Sequence, residues 1–312
     1  MSTQTNEIFE LIQAAVKKFI SASAAVVEIE SAPLHLGFQA VDLSRHQVVL
    51  EDEGTRRSVS LITKMASRTE RLILHRLFSQ SANVPFSHTN DMDSEHRALL
   101  CIQNVDEHTD YQNLNIDLLQ KKEAAALAYI HQSNLGCKEQ LLWLPAATRD
   151  HAEQMLNTRW RPSWEKAIQT ESFIEAFGAY IPEVEAAAAC ITADLEVVLN
   201  DESSHTLIHN DLNPGNVLVH NNDDVYFIDW EEARYGSLYL DVPLRLDIVQ
   251  ARDYLDELSS HGVVLPSAKF ESQYKIAARY LGLRFMAWNL GAWAHDLRAK
   301  EGLIKYLKMA TS

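Results

Sequence analysis

The sequence predicts an α+β protein with two lobes: a small β-rich N-terminal lobe over residues 1–103 and a larger, mainly α-helical C-terminal lobe over residues 104–312. Short runs of β-branched residues separated by turn residues fill residues 25–64, as in an antiparallel meander. Beyond residue 102, long Ala-, Leu- and Glu-rich runs place apolar residues at helical spacing. The boundary is expected near 102–106, where the chain leaves the last strand of the first lobe.

The N-terminal lobe is predicted to begin with a helix and to continue mainly as strands. The helix is expected over residues 6–20. Strands are expected at 25–30, 37–43, 47–51, 58–64 and 98–102, with turns at 44–46 and 52–55. A second helix is expected at about 69–79, and a polar loop over 88–97 follows it.

The C-terminal lobe is predicted to be helical except for one polar segment. Helical runs are expected at 115–134, 150–177, 182–200, 244–260 and 267–309. The exception contains two short strands, at about 217–220 and 225–228. They bracket the tetrad Asn-Asn-Asp-Asp at 221–224, which is a hairpin-turn signal.

Composition excludes several classes of function. The net charge is -15, and no basic tract is present to offset repulsion by a nucleic-acid backbone, so no nucleic-acid partner is expected. No apolar run is long enough to cross a bilayer, and the N-terminus lacks the features of a signal peptide. The widely spaced Cys101, Cys137 and Cys190 suggest neither a disulfide framework nor a zinc site. A cytoplasmic protein without a membrane partner is therefore expected.

The polar segment concentrates side chains that carry oxygen atoms. It reads His-Asn-Asp-Leu-Asn-Pro-Gly-Asn over residues 209–216, and Asp229 follows at the end of the next hairpin strand. Mg²⁺ prefers oxygen ligands, which Asn216 and Asp229 provide. A hairpin brings the end of its second strand beside the start of its first. Phosphoryl transfer needs such a pair of metal-ligating residues and a nearby carboxylate that receives or orients the acceptor hydroxyl.

This segment resembles the catalytic segment of the aminoglycoside phosphotransferase and choline kinase family, with Ile-Asp-Trp at 228–230 completing the pattern. The resemblance implies a protein-kinase-like fold and an ATP- and Mg²⁺-dependent transfer of phosphate to a small-molecule hydroxyl. It implies Asp211 as the catalytic base or hydroxyl-orienting group and Asn216 and Asp229 as metal ligands. His209 would support the loop by hydrogen bonds. Asn replaces the family's usual Gly at position 210 and its usual His at position 213.

Two acidic residues after the hairpin have supporting roles in the same resemblance. Asp241 matches the Asp of the family's Gly-x-x-x-x-Asp-Leu segment, which anchors the catalytic loop, so a structural role is implied. Glu231 is similar to the Glu of an Asp-x-Glu pattern found in some members. It either lies near the metal or is an exposed residue after the strand.

The N-terminal lobe is expected to bind the nucleotide. Lys64 ends a strand that resembles the Val-Ala-Ile-Lys strand of kinases, and Glu70 at the start of the next helix is its expected partner. Glu70 could instead be an ordinary helix N-terminal charge. The backbone at Gln103 and Val105 is the expected hinge for adenine. A phosphate loop is expected over 31–38, where Gly37 is the sole glycine.

The acceptor is left open by the sequence. Trp160 with Trp164, or Trp288 with Trp293, could surround a quaternary amine, and the acidic segment 165–202 could suit a cationic acceptor. Core packing explains the tryptophans equally well, and a solvated helix face explains the acidic segment. A choline-, ethanolamine- or methylthioribose-type kinase and a catalytically silent pseudokinase are the alternatives. A metal cluster of His205, His209, Asp211 and His220 fits no zinc spacing. The sequence does not indicate the oligomeric state.

Overall fold

The computed structural model describes residues 3–34 and 43–312. Gly37 and nearly all of the strand predicted over 37–43 lie outside these residues. The chain forms two compact units. The first unit combines Met1–Ala126 with Asn213–Ala233, and the second unit combines Leu127–Leu212 with Arg234–Ser312. The lobe boundary between residues 103 and 104 stays a prediction.

The first unit is built on a five-stranded antiparallel sheet in the order β1-β2-β3-β5-β4. The strands are β1 (Ala25–Pro33), β2 (Ser44–Asp52), β3 (Thr55–Ala66), β4 (Ser87–His88) and β5 (Ala98–Gln103). The turn predicted at 52–55 joins β2 to β3, with Glu53 and Gly54 at positive φ. Two consecutive left-handed residues suit a tight hairpin turn because their twist matches that of the strands.

The turn predicted at residues 44–46 is wrong, because these residues begin β2. His46 is buried and lies between two hydroxyls, with Nδ1 2.8 Å from Ser31 Oγ and Nε2 2.7 Å from Thr63 Oγ1. Cross-strand hydrogen bonds therefore satisfy a polar side chain that local propensity places in a turn.

Two helices belong to the N-terminal part of the first unit. Helix α1 (Thr3–Phe19) packs Leu11, Ile12 and Val16 against the sheet, where they share a core with Val48 and Leu61. Helix α2 (Arg68–Ser79) follows β3 directly. Ser67 caps it by accepting a hydrogen bond from the Glu70 backbone N–H at 3.2 Å, which places Glu70 in the first turn.

The polar hairpin also belongs to the first unit. Its strands are β7 (Val217–His220) and β8 (Asp224–Phe227), which pair antiparallel. Asn221 and Asn222 take positive φ in the predicted turn, a conformation that Asn tolerates better than most residues. Asn83 donates hydrogen bonds to Asp224 Oδ1 and to the Val225 carbonyl, both at 2.9 Å. These bonds fix the hairpin to the segment that follows α2.

The second unit is mainly helical. The helices predicted at 115–134 and 182–200 form with nearly those bounds, whereas the runs predicted at 150–177, 244–260 and 267–309 divide into shorter helices. The elements that lie wholly or partly in it are α3 (Ile116–Asn134), α4 (Arg149–Met155), α5 (Arg161–Ala167), α6 (Glu171–Phe177), α7 (Ile181–Leu199), α8 (Val242–Arg245), α9 (Gln250–Ser260), α10 (Ser267–Ala292) and α11 (Leu297–Ala310). The predicted run over 267–309 divides at Asp296, whose carboxylate caps α11 by accepting from the Arg298 and Ala299 N–H groups.

Two strands of the second unit have no counterpart in the prediction. They are β6 (His205–Ile208) and β9 (Arg234–Ser237), and they pair antiparallel. Each is four residues long, too short for a clear periodic signal. Residues 209–211 directly follow β6, so this strand pair positions the start of the polar segment. None of the helices in the described part of the chain is both long and apolar enough to span a membrane.

Candidate active site

Lys64 lies between two carboxylates of the first unit. Its Nζ is 2.7 Å from Glu70 Oε1 and 3.0 Å from Asp229 Oδ1. Burial acts to lower the pKa of Lys64, but the charges of Glu70 and Asp229 outweigh it and raise the pKa above its ordinary value. The ammonium therefore stays protonated in a largely buried position.

Glu70 is the buried partner, with its side chain only 1% exposed. Burial, together with the charge of Asp229, raises the pKa of Glu70, while Lys64 acts to lower it. The carboxylate therefore depends on Lys64 for its charge. The structure brings Lys64 and Glu70 together as the sequence predicts, and their nucleotide-binding role stays a prediction.

Asp229 follows β8 with φ of 63°, a left-handed conformation that is uncommon for a residue with a side chain. The Ile228 N–H donates to the Asn216 carbonyl at 3.0 Å, so the hairpin brings the residue before Asp229 to the backbone of Asn216. Within the described residues, Lys64 engages only Oδ1 of Asp229. Asn216 and Asp229 thus supply the hard oxygen donors that Mg²⁺ prefers, and the residues fit such an ion.

Glu231 is paired with Arg97, a residue that sequence reasoning missed. Arg97 Nη2 donates to Glu231 Oε1, and Arg97 Nη1 donates to the Met65 carbonyl at 2.9 Å. The guanidinium thereby connects the segment after Asp229 to the end of β3. No sequence motif marks Arg97, which lies at the end of the polar loop before β5. Its charge partially neutralises Glu231, as the charge of Lys64 does for Asp229.

The predicted hinge residues lie at the end of β5 and just beyond it. The Gln103 N–H donates to the Phe86 carbonyl at 3.1 Å. The Val105 carbonyl accepts from His220 Nδ1 at 2.8 Å, which joins this segment to the tip of the β7–β8 hairpin. Adenine recognition by the backbone of Gln103 and Val105 stays a prediction.

In the second unit, Asp241 holds the backbone of the segment that precedes Asp211. Its carboxylate accepts from the His209 N–H at 2.7 Å and from the Asn210 N–H at 2.8 Å, and His131 Nε2 lies 3.2 Å away. Burial acts to raise the pKa of Asp241, but the hydrogen bonds and charges of His131 and His209 lower it below its ordinary value. A buried carboxylate with these donors organises the loop.

Asp211 is half-buried, and its backbone N–H donates to His209 Nδ1 at 3.3 Å. Asn210 has φ of 64°, which explains why a residue tolerant of the left-handed region stands where the family commonly has Gly. Arg284 Nη1 donates to Asn210 Oδ1 at 2.8 Å. Sequence reasoning missed Arg284, because a single Arg within a helical run carries no motif.

Three of the four tryptophans considered for an acceptor site pack against other aromatic rings. Trp160 and Trp164 are buried and stack with ring centroids 5.9 Å apart, and Trp293 packs edge-on against Phe173 and Phe177. Trp288 is half exposed. The described residues contain no group of three or more His, Cys, Asp or Glu side chains that could hold a metal. The cluster considered around His209 is therefore not such a group.

Comparison with known proteins agrees with this architecture. The structure is similar to a spectinomycin phosphotransferase solved with ADP and spectinomycin (TM-score 0.59, 15% identity, 96% of this chain and 97% of that chain covered). It is also similar to an aminoglycoside phosphotransferase from Alicyclobacillus acidocaldarius subsp. acidocaldarius (TM-score 0.59, 16% identity, 92% of this chain and 89% of that chain covered). An ethanolamine kinase from Plasmodium vivax is similar as well (TM-score 0.52, 13% identity, 100% of this chain and 89% of that chain covered). At such identities, the likeness shows the shared fold alone. No curated protein sequence matches the chain significantly.

The predicted kinase-like fold, with an N-terminal antiparallel sheet followed by a mostly helical region, is thus confirmed. A model of the APH phosphotransferase enzyme family matches residues 70–253. The match includes Glu70, Asp211, Asn216, Asp229 and Asp241, while Lys64 lies just before it. Since the match covers more than half of the 312 residues, the chain belongs to the APH phosphotransferase enzyme family.

Proposed function

We propose that this protein is a kinase that uses ATP and Mg²⁺ to phosphorylate a hydroxyl group of a small molecule. The observation that carries the proposal is the ammonium of Lys64, held between Glu70 and Asp229. A lysine fixed by a helix glutamate and adjoining the metal-binding aspartate is the arrangement that positions nucleotide phosphates in kinases. A purely structural ion pair would have no need of a second, half-exposed carboxylate.

The roles follow from the chemistry of each residue. Lys64 binds the nucleotide phosphates, and Glu70 holds it in place. The backbone of Gln103 and Val105 binds the adenine. Asn216 and Asp229 would hold Mg²⁺, which neutralises charge on the transferring phosphate when bound. Residues 1–103 form the nucleotide lobe and residues 104–312 the catalytic and acceptor lobe in this proposal.

Asp211 acts on the acceptor. The acceptor oxygen forms a bond to the γ-phosphorus, the bond from that phosphorus to the β–γ bridging oxygen breaks, and ADP leaves. The hydroxyl proton passes to the Asp211 carboxylate. His209 and Asp241 position Asp211 by fixing the backbone on its N-terminal side, where Asp241 accepts two N–H groups. Glu231 supports the segment after Asp229 through Arg97.

Relatives support a nucleotide and a small acceptor. The spectinomycin phosphotransferase was solved with ADP and spectinomycin, and another crystal structure of it contains AMP. A choline kinase from Streptococcus pneumoniae and the ethanolamine kinase share the fold as well. An amino-alcohol kinase is therefore the second candidate function, and the acceptor must be found by experiment.

A coupled assay of ADP release tests the proposal with ATP, Mg²⁺ and a panel of amino-alcohols, aminoglycosides, sugars and hydroxy acids. We expect acceptor-dependent ADP release that Asp211→Ala abolishes. Asp223→Ala, in the exposed hairpin turn, is the matched control and should retain activity. ATP binding with no acceptor-dependent turnover across the panel would instead support the pseudokinase alternative.

A further inference from the structure

Arg284 is a buried cation next to the segment that carries Asp211. It lies in α10 and is only 2% exposed. Its Nη1 donates to Asn210 Oδ1, and its Cζ lies 4.9 Å from the centroid of the Phe285 ring. Nε and Nη2 have no hydrogen-bond partner among the described residues, and no carboxylate in that part of the chain forms an ion pair with this guanidinium.

Such a position is energetically unfavourable for the free protein. A charged group taken out of water loses its hydration, and a counter-charge with good hydrogen bonds is what normally compensates. Contacts with two neutral groups, the Asn210 amide and the Tyr280 phenol, leave Nε and Nη2 without a hydrogen-bond partner among the described residues and leave the charge without a counter-charge. If Arg284 served only to hold Asn210, a neutral donor such as Gln would do so at lower cost. A buried charge points to an anion that binds there.

Further arginines lie near the same part of α10. Tyr280, one turn before Arg284, is hydrogen-bonded to the Arg284 side chain and is close to Arg234 and Arg159. Burial raises the pKa of its phenol, while the charge and hydrogen bond of Arg284 and the charges of Arg234 and Arg159 act to lower it. Tyr306 is similarly close to Arg245 and to Asp211: burial raises the pKa of Tyr306, Arg245 acts to lower it, and Asp211 acts to raise it. Tyr280 and Tyr306 thus have guanidinium groups near them, although the chain as a whole is acidic.

We propose that the phosphate acceptor carries an oxyanion, a carboxylate or a phosphate monoester, in addition to its hydroxyl, and that Arg284 binds it. The inference rests on the proposed function and names the chemical class of its acceptor. The guanidinium fork matches two oxygens of either group, which gives orientation as well as affinity. Asn210 links Arg284 to the residue before Asp211, so the oxyanion site and the hydroxyl-activating carboxylate are fixed relative to each other.

The same observations argue against a cationic acceptor. A quaternary or primary ammonium near Arg284 would meet an unpaired like charge in a site with little water to screen it. The tryptophans that could have formed an aromatic cage include Trp160 and Trp164, and both are buried in contact with each other.

The first experiment compares acceptors that differ mainly in charge: glycerate, glycerol 3-phosphate, glycerol, ethanolamine and choline. We expect glycerate or glycerol 3-phosphate to show kcat/KM about 10- to 100-fold above that of glycerol, the value of a hydrogen bond to a charged group. The carboxylate and the phosphate ester distinguish the two oxyanions. Preferred turnover of glycerol, ethanolamine or choline would overturn the inference and leave the proposed kinase function intact.

The second experiment uses Arg284→Gln and Arg284→Lys. Loss of an acceptor-binding charge should raise KM for the anionic acceptor about 10- to 100-fold in Arg284→Gln, with smaller changes in kcat and in KM for ATP, and Arg284→Lys should recover part of the loss. A role limited to holding Asn210 would instead lower kcat for every acceptor. Asn210→Gly, which tolerates the left-handed φ but lacks the amide, is the matched control and should keep the preference for anions.

If none of the five acceptors is turned over, or if Arg284→Gln does not fold, titration calorimetry with glycerate and glycerol 3-phosphate tests whether Arg284 binds an oxyanion. Binding to the unmodified protein that weakens in Arg284→Lys supports the inference. Equal binding by both proteins, or no binding of either oxyanion, contradicts it. Failure of the kinase proposal has a different signature, namely no acceptor-dependent ADP release with any compound.

Discussion

The Lys64 ammonium donates a hydrogen bond to Asp229 at 3.0 Å, which joins strand β3 to the residue that follows the β7–β8 hairpin. The two residues are far apart in the chain, and each is also held from a second side. Glu70 contacts the same ammonium, and Ile228, just before Asp229, bonds to the Asn216 backbone. The ammonium of Lys64 and the candidate metal ligands therefore form one connected arrangement within the first unit.

Lys64→Met should impair both activity and stability. We expect kcat/KM to fall at least about 100-fold, because a preorganised charge at the phosphates is lost. Stability at pH 7 should fall by about 3–5 kcal/mol, because Glu70 is left buried without a counter-charge. Chemical denaturation and steady-state kinetics measure the two effects.

The double variant Lys64→Met/Glu70→Leu is the internal control for that interpretation. It removes the uncompensated carboxylate and should recover much of the stability but none of the activity. Lys17→Met, on the exposed face of α1, should change neither quantity appreciably. A single variant as stable as the double variant would contradict a stabilising ion pair between Lys64 and Glu70.

Asp229 and Glu231 should differ in their effect on the magnesium requirement. Arg97 engages Oε1 of Glu231 and Lys64 engages Oδ1 of Asp229, but only Asp229 directly follows Ile228, which bonds to the backbone of Asn216. Asp229→Asn should therefore raise the Mg²⁺ concentration for half-maximal activity about tenfold or more, and Glu231→Gln much less. Titration of Mg²⁺ into EDTA-treated protein measures both. A larger effect at Glu231 would reverse the assignment.

Asp241 should make stability sensitive to acid. Its folded-state pKa lies below the ordinary value of 3.8, so its contribution to stability is present above pH 3.8 and is lost as pH falls through the folded-state pKa. Asp241→Asn should cost about 3 kcal/mol at pH 7, because the amide N–H₂ would face a backbone N–H donor.

The difference between the unmodified protein and Asp241→Asn should narrow as pH falls below about 4 in urea unfolding experiments. Because His209 and Asn210 lose a charged acceptor, activity at pH 7 should fall as well. A stability difference that stays constant from pH 7 to pH 3 would show that the charge of Asp241 is not what holds the loop.

Gly282 and Gly291 in α10 provide a matched pair for the packing of the second unit. A Cβ at Gly282 would lie 2.6 Å from the Ala310 backbone nitrogen and 2.7 Å from the Tyr306 carbonyl oxygen, whereas a Cβ at Gly291 meets nothing within 4 Å. Gly282→Ala should destabilise the protein by about 1–3 kcal/mol through this clash with α11. Gly291→Ala should be neutral or stabilising by up to about 1 kcal/mol. Thermal unfolding compares the two, and equal effects would contradict close packing of α10 on α11.

The sequence predicts most of the first unit because its signals are local. Helix α2 begins at a Ser cap with Glu70 in its first turn, and the hairpin turn has Asn residues that tolerate positive φ. Such features depend on residues a few positions apart and can be read without knowledge of the fold. The turn predicted at 44–46 fails for the opposite reason: His46 is satisfied by Ser31 and Thr63 on neighbouring strands.

By itself, the sequence indicated a β-rich N-terminal region followed by a mainly helical one and the chemical character of the segment around Asp211. These follow from side-chain type and spacing. Only the tertiary structure decided that Arg97 pairs with Glu231 and that Asp241 binds the backbone of His209 and Asn210. It also decided that Arg284 is buried beside Asn210 with no carboxylate partner in the described part of the chain. The physical reason is that charge and hydrogen-bond partners far apart in the chain are selected by burial and distance, and neither quantity is encoded in local sequence spacing.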